Sequence, residues 1–234
     1  MRVIAITGTD TGVGKTVTTA ALSRLALDRG WTVAVVKAVQ TGVATGEPTD
    51  ADTISTLGGC EHVVELVRLD PPLAPDTAAR RLGIAIPRVA ELAGRVHAIA
   101  QDHDLVLLEG SGGVAVRLDT AGGTLLDLAS TLTTASRAAV DFVVVTRISL
   151  GTLNHTELTV DAVRRAGHTV AGVVLGDVPD APGLAEQANL TELSRVTGLP
   201  LLGAVPHGAG QLTPEEFRTG CPRWFTSPGW LDQR

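Results

Sequence analysis

Residues 6–17 read ITGTDTGVGKTV, and the fold of the chain follows from how this stretch is understood. The common phosphate-binding pattern places four residues between its first glycine and the Gly-Lys pair. Here Gly8 and Gly14 are separated by five, and Lys15 is followed by Thr16. The context is that of a working loop: the apolar run Val3–Ile6 reads as a buried strand, and residues 16–30 read as a helix closed by Gly30. Gly8, Gly12 and Gly14 permit positive φ and let backbone N–H groups approach an anion closely. The helix starting at Lys15 adds the positive end of its dipole. Lys15 is placed to meet terminal phosphates, with the Thr16 hydroxyl beside a Mg²⁺ ion. The extra residue widens the loop without breaking it.

Further apolar, β-branched runs follow at Thr32–Lys37, Asp104–Gly110, Asp141–Thr146, Thr169–Gly176 and Leu199–Pro206. Most are continuous rather than alternating, as expected for parallel strands covered on both faces. Helical stretches lie between them at Asp50–Leu57, Pro87–Gln101, Leu125–Leu132, Asn154–Ala166 and Leu184–Thr197. Alternation of this kind predicts right-handed crossovers and an α/β fold: a doubly wound, mainly parallel β-sheet flanked by helices, P-loop NTPase-like. One domain over residues 1–234 is expected, with 208–234, which holds Trp224 and Trp230, as an irregular C-terminal tail. In such sheets ligands bind beyond the carboxyl ends of the strands, so functional residues should stand just after the apolar runs.

Composition narrows the partners. Of 234 residues, 44% are apolar and 19% charged, and the net charge is −6. Arg80-Arg81 and Arg164-Arg165 are isolated pairs, so nucleic acid is not an expected partner. Cys60 and Cys221 are far apart and in no metal-ligand spacing, which suits a reduced compartment. No run has the length of a membrane span, and the N-terminus reads as a strand rather than a signal peptide. A soluble cytoplasmic protein is expected.

The ends of the runs carry the chemistry. Lys37 closes the second strand and precedes Gln40, Thr41 and Gly42, so it points at the crevice, where it could stabilise charge developing on a phosphoryl group. Asp50 and Asp52 stand at a helix start, where either fits an N-cap as well as a second Mg²⁺ contact. Glu109 ends a buried run and leads into Gly110, Ser111 and Gly112, which places a carboxylate opposite the phosphate loop. The amides of Ser149–Leu158 form a helix N-terminus suited to a carboxylate. His155 beside it reads as structural, and no Ser-His-Asp set is present.

Five stretches in order, GTDTGVGKT (8–16), KAVQTG (37–42), PPLAPDTAA (71–79), EGSGG (109–113) and LGTLNHT (150–156), resemble the dethiobiotin synthetases. They extend over about two-thirds of the chain, and the five-residue gap in the phosphate loop is typical of that family. The resemblance implies a homodimeric ligase that uses ATP, Mg²⁺ and CO₂ or bicarbonate to close 7,8-diaminononanoate into a cyclic urea. It implies nucleotide contacts from Gly12, Val13, Gly14, Lys15, Thr16, Val17 and Glu109–Gly112, and Mg²⁺ contacts from Thr16, Asp50 and Glu109. Lys15, Lys37 and Thr11 would act on the reacting groups, and Thr41 and Gly112 would face the substrate. Leu150, Gly151, Thr152, Leu153 and Asn154 would hold the substrate carboxylate from the neighbouring subunit. The sequence departs from the family at Ala38, usually proline, at Ser111, usually alanine, and at Gly176, where many relatives have asparagine. Without that amide, the base is expected to rest on backbone groups around Gly176, Asp177, Pro206, His207 and Gly208. A glutaminase-dependent amidoligase is disfavoured by the absence of a Cys–His pair. A partition ATPase is disfavoured because Asp10 stands where those proteins carry a signature lysine.

Overall fold

The computed structural model describes residues 2–44, 46–136, 139–226 and 228–232. Its centre is a seven-stranded parallel sheet in the order β4-β2-β6-β1-β7-β8-β9. These strands are β1 (Arg2–Gly8), β2 (Val33–Lys37), β4 (His62–Glu65), β6 (Leu105–Gly113), β7 (Val140–Thr146), β8 (Thr169–Val178) and β9 (Leu201–Pro206). A separate two-stranded ladder pairs β3 (Gln40–Thr41) with β5 (Arg68–Leu69). The doubly wound sheet expected from the sequence is present, and every run read as a strand lies in it.

Period-two alternation sorts the strand side chains onto two faces. Ile4, Ile6, Val35, Leu107 and Val145 pack on one side with α1 (Lys15–Leu27) and α2 (Asp50–Gly58). Val3, Ala5, Val36, Leu108 and Phe142 pack on the other with α4 (Val89–Ala100), α5 (Leu125–Ser136) and α6 (Thr152–Arg165). Helix α7 (Leu184–Thr197) covers the β8–β9 end, where Leu193 joins Ile148 and Leu175. Burial on both faces explains why these runs are continuously apolar, since each enclosed Val, Ile or Leu contributes about 1.5–3 kcal/mol.

Three features went unread in the sequence. Edge strand β4 is short, with His62 exposed, and lacks the apolar run of the inner strands. Helix α3 (Pro75–Leu82) begins just after two prolines, with Pro75 at its first turn. Where an irregular tail was expected, the chain forms a 3₁₀ turn at Ala209–Gln211, helix α8 (Pro214–Gly220) and further 3₁₀ turns at Cys221–Trp224 and Pro228–Asp232. Phe217, Cys221, Phe225, Trp230 and Leu231 all enter the core beneath α1 and α2. Phe217 and Trp224 meet edge-to-face at 5.1 Å, and Arg2 donates to the main-chain oxygens of Trp230 and Leu231. Alternating polar residues hide these anchors from a periodicity reading. Both cysteines are buried free thiols, and burial pushes the Cys221 thiol up to about 12.

Candidate active site

Strand register brings the charged groups together. On adjacent parallel strands Lys37 is the direct partner of Glu109, so both side chains leave the sheet on the α1 face. Glu109 is fully buried and Lys37 is 4% exposed. The Lys37 ammonium lies 2.7 Å from Glu109 Oε1 and 2.6 Å from Asp50 Oδ2, and donates to the Gly110 carbonyl at 3.3 Å. Burial opposes its ionisation, but Glu109 and Asp50 outweigh that cost and hold its pKa above the ordinary lysine value. The choice between Asp50 and Asp52 falls to geometry. Asp52 closes a capping box with Thr49, accepting from Thr49 N–H at 2.8 Å, while Asp50 turns to Lys37.

The phosphate loop sits beside this cluster. Thr16 Oγ1 donates to Glu109 Oε1 at 3.2 Å, and Thr19 Oγ1 lies 2.6 Å from Glu109 Oε2. Thr19 was missed in the sequence; its only signal is a threonine one helical turn beyond Lys15. The Lys15 ammonium is 7% exposed and donates to the Asp10 carbonyl at 2.9 Å. Burial lowers its pKa to about 8, against the pull of Glu109. A β-carbon at Gly8 would lie 2.8 Å from the Asp10 carbonyl oxygen and 3.0 Å from that of Gly112, so the close approach of these backbones requires glycine. Asp10, in the position of the absent signature lysine, pairs with Arg147.

Gly14 and Gly176 explain each other. A β-carbon on Gly176 would lie 1.9 Å from the Val13 carbonyl oxygen, and one on Gly14, where φ is 90°, would lie 2.2 Å from the Gly176 oxygen. The phosphate loop thus rests directly on the backbone of β8, and no side chain fits between them. This gives a steric cause for the departure at Gly176.

A cleft of about 720 Å³ opens above these groups. Thr11, Gly12, Gly14, Lys15, Thr16, Val17, Lys37, Thr41, Gly42, Asp50, Ser111 and Gly112 are among the residues that line it. Val39, Val43, Pro72, Leu73, Pro75 and Val116 add apolar surface to the same lining. Val13, Glu109 and Gly110 are buried beneath it. Gly176, Asp177, Pro206, His207 and Gly208 stand at the carboxyl ends of β8 and β9, outside this cleft; Asp177 and His207 are exposed and hydrogen-bonded at 2.9 Å. Leu150–Asn154, at the start of α6, also lie outside the cleft of their own chain. His155 is exposed and joins neither group.

The oxygen atoms of Thr16, Asp50 and Glu109 fit a hard divalent cation: the two carboxylates already share one cationic group, the Lys37 ammonium. Among the described residues no cluster of three or more His, Cys, Asp or Glu side chains could bind a metal alone. An ion here would have to complete its shell with phosphate oxygens and water.

A phosphate loop following β1, a helix dipole behind it and the buried carboxylate of Glu109 on the neighbouring strand define a P-loop ATP-using enzyme. A family model described as an AAA domain matches residues 2–215. Among solved structures, the septum site-determining protein MinD of Pyrococcus horikoshii, in complex with Mg-ADP, is 19% identical. Its TM-score is 0.55, over 98% of this chain and 91% of that one. Chloroplast FtsY from Physcomitrella patens is 20% identical with a TM-score of 0.55, over 94% and 65%. At such identities the likeness is one of fold. Curated relatives are far more similar. The ATP-dependent dethiobiotin synthetase BioD of Rhodococcus jostii is 49% identical over 99% of this chain and 97% of its own. That of Streptomyces coelicolor is 49% identical over 97% and 93%. The chain belongs to the ATP-dependent dethiobiotin synthetase family.

Proposed function

We propose that the chain joins CO₂ to 7,8-diaminononanoate and closes the cyclic urea at the expense of ATP, giving dethiobiotin, ADP and phosphate, a step of biotin synthesis. The observation that carries this reading is the Lys37–Glu109–Asp50 cluster beside the phosphate loop, at a cleft lined by both charged and apolar residues. A diamine on an alkyl chain suits both kinds of lining.

One amine and CO₂ form a carbamate anion. The ammonium groups of Lys15 and Lys37 would supply charge for it, and Thr11, exposed in the cleft lining, would meet the amine or its carbamate. The carbamate oxygen attacks the γ-phosphorus of ATP, and ADP leaves. Thr16, Asp50 and Glu109 would hold Mg²⁺, which when bound supplies charge neutralisation for the phosphate oxygens. With those carboxylates engaged, Lys37 is free to turn toward the transferring group. The second amine then attacks the carbonyl carbon of the mixed anhydride and expels phosphate. This step is intramolecular, so orientation alone can supply an effective molarity of about 10⁵ M, and no protein nucleophile is needed. Thr41 and Gly112 line the same cleft and would orient the diamine, while its apolar lining would keep water from the anhydride.

A homodimer is supported by two observations. The proposed carboxylate cradle, Leu150–Asn154, lies outside its own cleft, and Leu150 is 85% exposed beside the α6 surface that also exposes Leu158. Backbone groups near Gly176, Asp177 and Pro206–Gly208 would take the base, in keeping with the absence of a side chain at Gly176. No described helix is long and apolar enough to cross a membrane, which is compatible with a cytoplasmic enzyme.

The test supplies Mg²⁺, ATP, labelled bicarbonate and the diamine and follows label into an acid-stable ring. Lys37→Gln is expected to abolish product while nucleotide binding stays measurable. Retention of most turnover by that variant would overturn the assignment.

A further inference from the structure

Behind the phosphate loop lies a group of hydroxyls that the proposed chemistry does not use. Thr146, Thr152 and Thr156 are each fully buried. Thr146 ends β7, while Thr152 and Thr156 lie one turn apart at the start of α6. Thr146 Oγ1 is 2.8 Å from Thr152 Oγ1, 2.9 Å from Thr156 Oγ1 and 3.1 Å from Thr9 Oγ1 in the phosphate loop.

Proton counting fixes the direction of the three bonds at Thr146. Thr152 donates its single proton to the Arg147 carbonyl at 2.6 Å, so it accepts from Thr146. Thr156 donates to Thr146. Thr9 must then donate as well, because the Thr146 proton is already committed. Thr146 gives one bond and receives two, the full capacity of a hydroxyl. A threonine inside a helix ordinarily turns back to the carbonyl four residues earlier, as Thr159 does to His155 at 2.8 Å. Thr156 instead turns out of its helix to reach Thr146.

Other contacts tie the same two segments. Thr9 N–H donates to the Val145 carbonyl at 3.0 Å, and Asp10 pairs with Arg147 while accepting from Thr11 N–H at 2.8 Å. On the far side Asn189 of α7 donates to the Ile148 carbonyl at 2.8 Å. The nucleotide loop and the turn 147–152 are thus joined through the Thr9 amide, the Thr9 hydroxyl and the Asp10–Arg147 pair.

We propose that Thr146 is a positioning residue that couples nucleotide binding to binding of the substrate carboxylate, by holding the phosphate loop and the first turn of α6 on one oxygen atom. This rests on the reading above that Leu150–Asn154 receive that carboxylate. In a homodimer whose cradle serves the neighbouring cleft, the relay joins the nucleotide loop of one site to the substrate cradle of the other.

The test measures the dissociation constant of a non-hydrolysable ATP analogue with Mg²⁺, with and without saturating diaminononanoate, for the full chain and three variants. The unaltered protein is expected to show coupling of about fivefold or more, and Thr146→Val and Thr9→Val to reduce it to within about twofold of none. Thr146→Ser, which keeps the hydroxyl, should retain it. Thr9 is only half-buried and lies in a loop, so Thr9→Val remains informative if Thr146→Val folds poorly. A purely structural role would lower the melting temperature of Thr146→Val and leave coupling untouched, and that result overturns the proposal. So does full coupling in Thr9→Val, or diamine binding without coupling in the unaltered protein. Failure of the unaltered protein to bind the diamine at all overturns the functional reading itself, and the relay with it.

Discussion

Replacing Lys37 by methionine keeps most of the side-chain volume and removes the one cation that Glu109 and Asp50 share. At 2.7 Å from Glu109 and 2.6 Å from Asp50, each attraction is about 6 kcal/mol at an effective dielectric constant near 20. Desolvation of the ammonium offsets much of this, and deleting one partner of a buried pair costs about 3–5 kcal/mol. Glu109 keeps its Thr16 and Thr19 hydroxyls, and Asp50 is 31% exposed and can turn to water. The lower figure, about 3 kcal/mol, is therefore expected, which lowers the melting temperature of a chain this size by about 6–12 °C. The pH dependence has a definite sign. Because the Lys37 pKa is raised in the folded state, its contribution is fully present below the unfolded value of 10.5 and is lost as pH rises through the folded one. The gap between variant and unaltered protein should thus be constant from about pH 6 to 9 in calorimetric scans. Millimolar Mg²⁺ should restore part of the loss in Lys37→Met, by mass action at the vacated carboxylates, and do less for the unaltered protein. A melting temperature within about 2 °C of the unaltered protein, unresponsive to Mg²⁺, would refute the shared-cation account.

Burial lowers the Lys15 pKa to about 8. Below that pH the free protein already carries the ammonium that phosphates require; above it nucleotide binding must take up a proton. The dissociation constant should be flat below about pH 8 and rise by up to about tenfold per unit above, and titration calorimetry that found it flat to about pH 9.5 would contradict this. Gly176→Ala sets a methyl 1.9 Å from the Val13 carbonyl and should cost about 1–3 kcal/mol of stability while weakening nucleotide about tenfold or more. A variant unchanged in both would rule out the close packing of loop on strand. Phe217→Ala, in a segment without catalytic motifs, should cost about 3–5 kcal/mol because Phe217 is fully buried; a loss under about 1 kcal/mol in denaturant melts would detach the segment from the core.

Much of the frame was legible in the primary structure because it rests on local rules. Continuous β-branched runs announced the parallel strands, and the glycines with Lys15-Thr16 announced the turn between β1 and α1. Lys37 and Glu109 were identifiable as candidate site residues since each ends such a run, and strand ends are where open sheets place their ligands. Edge strand β4 and the anchors Phe217, Phe225 and Leu231 were not legible, because an edge strand needs no continuous apolar run and a tail that docks through isolated side chains has no period.

By itself the sequence determined the strand-loop-helix unit, the alternation that builds the sheet, and the family motifs. Tertiary structure alone decided that Lys37 faces Glu109 in register, that Asp50 rather than Asp52 joins them, and that Thr19 meets Glu109 and Thr146 meets Thr9. The reason is physical: strand order β2-β6-β1-β7 brings together residues far apart in the chain. Which hydroxyl meets which carboxylate depends on distances of a few ångström that no spacing along the backbone encodes.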